Sequence, residues 1–206
     1  MDRDEFAERA NVSRETIEKL SVYADLLKKW TPSINLVAKS TLANLWHRHF
    51  LDSAQVLDLA RLESGHWVDI GTGGGFPGLV VAVISAEKHP EYQFTFVESD
   101  ARKSEFLRTV IRNLSLTAKV VTKRIEEVEC LNADILSVRA LASLSILAGY
   151  AEQHLKPTGR AIFMKGASFR RELDEALETW EFQSEEYASI TDDAAVILKL
   201  GDIKRV

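Results

Sequence analysis

The sequence predicts an α/β fold: a doubly wound, mostly parallel sheet with an antiparallel hairpin at one edge, entered through N-terminal helices. Three observations carry this expectation. From His66 onward, short apolar runs alternate with amphipathic segments, the pattern of β-α-β units. The first run, Trp67-Val68-Asp69-Ile70, leads straight into a glycine-rich turn. The last two runs are joined only by Ser189 to Asp193, too few residues for a crossover helix, so they must pair antiparallel.

Each element follows from its spacing. Ile17, Leu20, Tyr23, Ala24, Leu27 and Trp30 repeat at helical intervals over residues 13 to 30, after a cap at Asn11 or Ser13, and Thr31-Pro32-Ser33 is expected to end that helix. A second helix is expected from Thr41 to Leu62, with Leu45, His49, Asp52, Val56 and Leu59 three or four apart. Residues 1 to 64 thus read as a helical lead-in packed on the same domain as residues 65 to 206. The expected strands are 67–70, 94–98, 119–122, 135–138, 159–165, 182–188 and 195–200. Helices are expected at 78–87, 100–114, 125–130, 143–154 and 168–178.

Composition narrows the class. A chain of 206 residues, 46% hydrophobic, buries one sizeable core. No stretch approaches the roughly 20 apolar residues of a membrane span, and Met1-Asp2-Arg3-Asp4-Glu5 lacks a signal-peptide pattern, so the expectation is a cytoplasmic protein without membrane contact. A net charge of -5 gives no global attraction to nucleic acid; an RNA substrate needs a local basic patch. The single cysteine, Cys130, forms no internal disulfide and reads as a buried bystander. His47 and His49 are two apart, on different helical faces and without a third ligand, so no metal site is expected.

The turn after the first strand is Asp69-Ile70-Gly71-Thr72-Gly73-Gly74-Gly75-Phe76-Pro77-Gly78. It lacks the Gly-Lys-Ser/Thr ending of a phosphate loop, and Phe76 stands where a nicotinamide fingerprint has its third glycine. What fits is acid-x-G-x-G-x-G, with Asp69, Gly71, Gly73 and Gly75, which resembles the first motif of class I S-adenosylmethionine methyltransferases, a Rossmann-like fold. Pro77 suits the first helical turn, where its missing N–H is no loss. Glu98 ends the next strand, 98 - 75 = 23 residues past the last motif glycine. A carboxylate there can accept both ribose hydroxyls of a nucleoside cofactor.

Further segments resemble one family, the RsmG or GidB family of 16S ribosomal RNA guanine-N7 methyltransferases. They are Asn35-Leu36-Val37, Arg48-His49-Phe50-Leu51-Asp52-Ser53, Gly75-Phe76-Pro77-Gly78, Arg124-Ile125-Glu126-Glu127, Val138-Arg139-Ala140 and Met164-Lys165-Gly166. The resemblance implies that S-adenosylmethionine lies against Gly71, Gly73, Gly75 and Phe76, with Glu98 on its ribose and Ile125 and Glu126 at its adenine. It also puts Arg139 at the mouth of the site and implies methylation of the guanine called 527, in the 530 loop of 16S RNA. The family usually shows Ser-Arg-Ala where this chain has Val138-Arg139-Ala140, which puts a hydroxyl contact there in doubt. His49 and Asp52 share a helical face, with a helix-anchoring role against the sheet edge.

Guanine N7 already carries a free lone pair, so its methylation needs orientation and desolvation but neither a strong base nor a covalent nucleophile. Arg139 and Lys165 are the residues expected to carry the reaction, Arg139 because a guanidinium fork matches a carboxylate, a phosphate or the O6/N7 edge of guanine. Lys165, Arg170 and Arg171 are the RNA candidates, with the helix carrying Arg102, Lys103, Arg108 and Arg112 behind them. The partner implied is 16S RNA or the small ribosomal subunit, met by a monomer. A ribose 2'-O-methyltransferase using Lys39, Asp134 and Lys165 is the enzymatic alternative; Asp134, preceding its strand, should lie at the wrong end of the sheet. A non-catalytic adenosylmethionine-binding module stays open, and a nicotinamide dehydrogenase is more distant.

Overall fold

A computed structural model describes all 206 residues. Its sheet has seven strands: β1 (Gly65–Ile70), β2 (Tyr92–Val97), β3 (Ala118–Val121), β4 (Ala133–Arg139), β5 (Leu155–Lys165), β6 (Trp180–Ala188) and β7 (Val196–Arg205). They lie in the order β3-β2-β1-β4-β5-β7-β6. The first five are parallel, and β7 runs antiparallel between β5 and the edge strand β6. The order reverses between β1 and β4, so the connections leaving their carboxyl ends diverge and open a crevice, the expected ligand position in such sheets.

The central strands alternate between two buried faces, as a doubly wound sheet requires. Trp67, Ile135, Ile162 and Ile197 join one apolar cluster, and their neighbours Val68, Leu136, Phe163 and Leu198 join the other. The first cluster takes in α1 (Arg3–Ala10), α2 (Arg14–Ile34), the short turns α3 (Asp52–Ala54) and α4 (Leu57–Ala60), and the crossover helices α5 (Gly78–Lys88) and α6 (Ala101–Asn113). The second takes in α7 (Leu144–His154), α8 (Phe169–Leu177) and the 3-10 turn Ile125–Glu127.

The lead-in departs from the sequence expectation in three ways. Helix α1 has one buried residue, Phe6, too little for a periodic signal; it is fixed by Asp2, which accepts from the amides of Asp4 and Glu5 at 3.0 and 2.9 Å. Helix α2 runs through Pro32 to Ile34 rather than stopping at Thr31. The Thr31 hydroxyl bonds the Leu27 carbonyl at 2.7 Å, and Asn35, at φ 49°, ends the helix with its N–H on the Thr31 carbonyl. The expected helix 41–62 is broken into a 3-10 stretch Lys39–Asn44, a π-helical turn Trp46–Leu51, α3 and α4. The wide turn buries Phe50 and Leu51 while His49 and Asp52 reach the sheet's carboxyl edge.

Cys130 is exposed, not buried. The helix expected at 125–130 is a single 3-10 turn ending at Glu127, which leaves Cys130 on an open loop. No helix is long and apolar enough to cross a membrane.

Candidate active site

The glycine turn folds over the end of β2. The amides of Gly71 and Thr72 donate to the Val97 carbonyl, and Glu98, itself buried, accepts from the Gly73 amide and the Asp100 amide, both at 2.8 Å. Each Glu98 oxygen keeps a further lone pair. Gly71, Gly73 and Gly75 all have positive φ, 62°, 56° and 99°. At Gly75 a side chain would strike Leu79 and the Tyr23 hydroxyl, which donates to the Gly74 carbonyl. At Gly73 nothing lies nearer than 3.8 Å, so bare backbone faces open space. Together with Glu98 this is a cradle that a nucleoside-bearing cofactor fits.

Asp69 lies beneath the turn rather than in the cradle. Its Oδ1 accepts from the Ser137 hydroxyl, which in turn accepts from Trp67 Nε1 at 2.8 Å. Oδ2 has no hydrogen-bond partner, although the Gly78 amide lies close enough to favour the charged form. Burial wins over these donors and pushes the carboxyl up to about 7. Val138 packs into the apolar cluster on the other face of β4, and the Ser137 hydroxyl braces the turn from below.

Phe76 points away from the cradle. Its ring stacks on Tyr23 at 5.8 Å between centroids, touches His49 at 4.9 Å and lies under the Arg139 guanidinium at 4.8 Å. Ile125 is buried and Glu126 exposed; the Tyr150 hydroxyl donates to Glu126. Burial and that carboxylate raise the Tyr150 phenol to about 12.

Arg139, the last residue of β4, carries the densest set of contacts. It donates to Asp52 Oδ2 at 3.2 Å and to His49 Nδ1 at 2.9 Å. Because arginine has no acceptor, His49 Nδ1 must be the bare nitrogen; its proton sits on Nε2, 2.8 Å from the Thr41 hydroxyl. Burial, then the charges of Arg139 and Arg48, lower His49 to about 3, so the ring is neutral. It anchors to the carboxyl end of β4, in the site, not to the sheet edge. Asp52 Oδ1 is filled by Gln55 at 3.0 Å and Thr191 at 2.7 Å. Beside this cluster a cavity of about 290 Å³ is walled by Arg139, Lys165, Gly166 and Asp192, among others.

The remaining expected residues separate. Lys165 turns inward, pairing with Glu172 at 2.5 Å and donating to the Ala142 carbonyl at 2.9 Å. Arg170 pairs with Glu186 and Arg171 with Glu175, so these three form no free basic patch. Arg108 bonds the Val120 carbonyl and Thr122. Asp134 is held by Lys156 at 2.8 Å at the start of β4, the opposite end from Lys165, and Lys39 lines neither site nor cavity. No group of three or more metal-ligating side chains exists. Tyr23, Thr41, Leu141 and Glu172 were not found by sequence reasoning; Tyr23, Leu141 and Glu172 reach partners tens of residues away, Thr41 meets His49 eight residues on, and only the helical register of Tyr23 carried any signal.

Comparison with known proteins agrees with this geometry. Residues 16–197 match the model of the GidB family, described as rRNA small subunit methyltransferase G. A ribosomal RNA small subunit methyltransferase G of Ruegeria pomeroyi is 50% identical over 200 residues, 97% of this chain and 98% of that protein. The protein of that name from Paramagnetospirillum magneticum is 42% identical over 205 residues, 100% of this chain and 98% of its own. Among solved structures, a TehB-like SAM-dependent methyltransferase from Corynebacterium glutamicum superposes with a TM-score of 0.59 at 13% identity, over 88% of this chain and 98% of that one. Aeropyrum pernix fibrillarin with bound S-adenosyl-L-methionine gives 0.56 at 16%, over 75% of each. These two likenesses concern the fold alone.

Proposed function

The chain belongs to the GidB family of rRNA small subunit methyltransferases, and from that premise we propose that it transfers a methyl group from S-adenosylmethionine to N7 of a guanine in 16S RNA. The substrate is the RNA or the small subunit, met by a monomer in the cytoplasm. The observation that carries the reading is a glycine cradle, closed below by Glu98, whose Phe76 lies under the Arg139 that borders the cavity.

Gly71, Gly73 and Gly75 would take the methionine half of the cofactor, Glu98 its ribose hydroxyls, and Ile125 and Glu126 its adenine. Asp69 acts from beneath by fixing the turn, and Phe76 from behind by supporting Arg139. When bound, S-adenosylmethionine supplies a methyl group on a sulfonium. The chain's own work is orientation. Arg139 spends one donor on Asp52 and one on His49, which aims its remaining N–H groups at the O6/N7 edge of guanine or at the cofactor carboxylate. Lys165 also lies on the cavity wall, but its charge is spent on Glu172.

The candidate bases of the cavity are all engaged, and N7 requires none. The His49 lone pair is taken by Arg139, Asp52 accepts from Arg139, Gln55, Ser189 and Thr191, and Asp192 is paired with Arg48. A ribose hydroxyl would have to lose a proton, and Lys39, Asp134 and Lys165 do not assemble to remove it. Lys123 and Arg124, after β3 and outside any salt bridge, are better placed for RNA than the paired Arg170 and Arg171.

The test is incubation with labelled S-adenosylmethionine and small subunits lacking the modification. Methylated N7 leaves a cationic ring that borohydride and aniline cleave, so the labelled RNA should be cut at one guanine. Labelled RNA that resists cleavage overturns the N7 reading in favour of a ribose oxygen.

A further inference from the structure

The segment Ala140–Ser143, between β4 and α7, crosses the glycine turn as a strap. Ala140 has a φ of 54°, a left-handed conformation that a non-glycine residue adopts only under constraint. Leu141 follows, with 42% of its surface exposed although it lies directly on the first motif glycine: a Cβ built on Gly71 would come within 2.7 Å of Leu141 Cδ1. An apolar side chain thus stands between solvent and the first motif glycine.

What holds the strap is Glu172, reaching across from α8. Its Oε2 accepts from the Leu144 amide at 3.1 Å, supplying from another helix the cap that Ser143 does not provide at the start of α7. The same oxygen pairs with Lys165 at 2.5 Å, and Lys165 donates to the Ala142 carbonyl at 2.9 Å. Oε1 is fixed by the Ser168 hydroxyl at 2.7 Å. One carboxylate therefore ties α8, the end of β5 and both sides of the strap. Burial opposes its charge, yet Lys165, Ser168 and the Leu144 amide keep it below the ordinary glutamate range.

We propose that Glu172 is a positioning residue for S-adenosylmethionine: through Lys165 and the Leu144 amide it holds Leu141 over Gly71, where the leucine covers the bound cofactor. The proposal rests on the cofactor reading above. Lys165 then acts through the strap, with its charge held by Glu172.

Calorimetric titration with S-adenosylmethionine tests it. Leu141→Ala, at a half-exposed position, should keep the wild-type thermal midpoint and weaken cofactor binding about tenfold, in line with about 1.4 kcal/mol of lost contact. Glu172→Gln should raise the KM for cofactor more than it lowers kcat, and Glu172→Asp should recover part of the loss. The double variant K165M/E172L removes the buried charges together; it should regain stability but not affinity. Wild-type affinity in Leu141→Ala, or a double variant that binds as well as wild type, overturns the proposal. Failure of the wild-type protein to bind S-adenosylmethionine at all overturns the cofactor reading instead.

Discussion

The two halves of the site are built by different means. On the β1-β2 side the cradle is backbone: three positive-φ glycines and a glutamate that accepts from two amides, all between residues 69 and 100. On the β4-β5 side the site is made of side chains from distant segments, with Arg139 meeting His49 and Asp52, residues 90 and 87 positions away. A backbone cradle tolerates little substitution but depends on few partners. A side-chain cluster is adjustable, and fails when any of its contributing segments moves.

Glu98→Ala strikes the first half and should have the largest effect. Cofactor affinity should fall at least about 100-fold, from two lost charge-assisted hydrogen bonds to ribose. Two amides lose their acceptor, and stability should drop by about 2 kcal/mol. Calorimetry and thermal melting read the two separately; unchanged affinity removes Glu98 from the site.

Arg139→Ala tests the second half. We expect kcat/KM to fall about 100-fold, the usual cost of one preorganised donor, while cofactor affinity changes less than in Glu98→Ala. Asp52→Asn should reproduce part of the loss by releasing the guanidinium, and Arg139→Lys should not rescue, because a lysine has no fork to span Asp52 and His49. Equal losses of cofactor affinity in Glu98→Ala and Arg139→Ala would erase the distinction between the halves.

The smallest effect separates them by pH. Asp69, raised from 3.8 to about 7, contributes stability that is complete below pH 3.8 and is lost as pH rises toward 7. His49, lowered from 6.5 to about 3, contributes stability present above pH 6.5 and lost as pH falls toward 3. Between pH 4 and 6.5 the two oppose each other. The thermal midpoint of Asp69→Asn should therefore climb more steeply with pH than wild type across that window, and that of His49→Gln less steeply. Identical slopes in all three proteins would show that neither group is buried as described.

The same contrast explains what the sequence made legible. The cradle is contiguous, so spacing marked Gly71, Gly73, Gly75 and Glu98, with Asp69 beneath them, and apolar runs alternating with amphipathic segments predicted the sheet. Arg139 emerged from a local triplet. His49 and Asp52 emerged from a local motif too, but not as its partners, because the π-helical turn at Trp46–Leu51 breaks the regular helix that the apolar spacing implied. Phe76 was read from its neighbours in the motif, but its ring obeys the aromatic packing of the lead-in. Nothing local marks Glu172 as the cap of a helix 28 residues away.

The aromatic column of the lead-in sets an order on how the chain is made. Tyr23 stacks on Phe76 and meets Phe106 at 6.2 Å, and Trp30 meets Phe106 at 5.7 Å. A ribosome delivers the lead-in first, so Tyr23 already meets Phe50 within it, whereas Trp30 waits for Phe106 and gains its ring partner only after α6 has emerged. The lead-in is thus the template on which the glycine turn is finished, because Tyr23 precedes Gly74 in the chain and stands ready to hold its carbonyl.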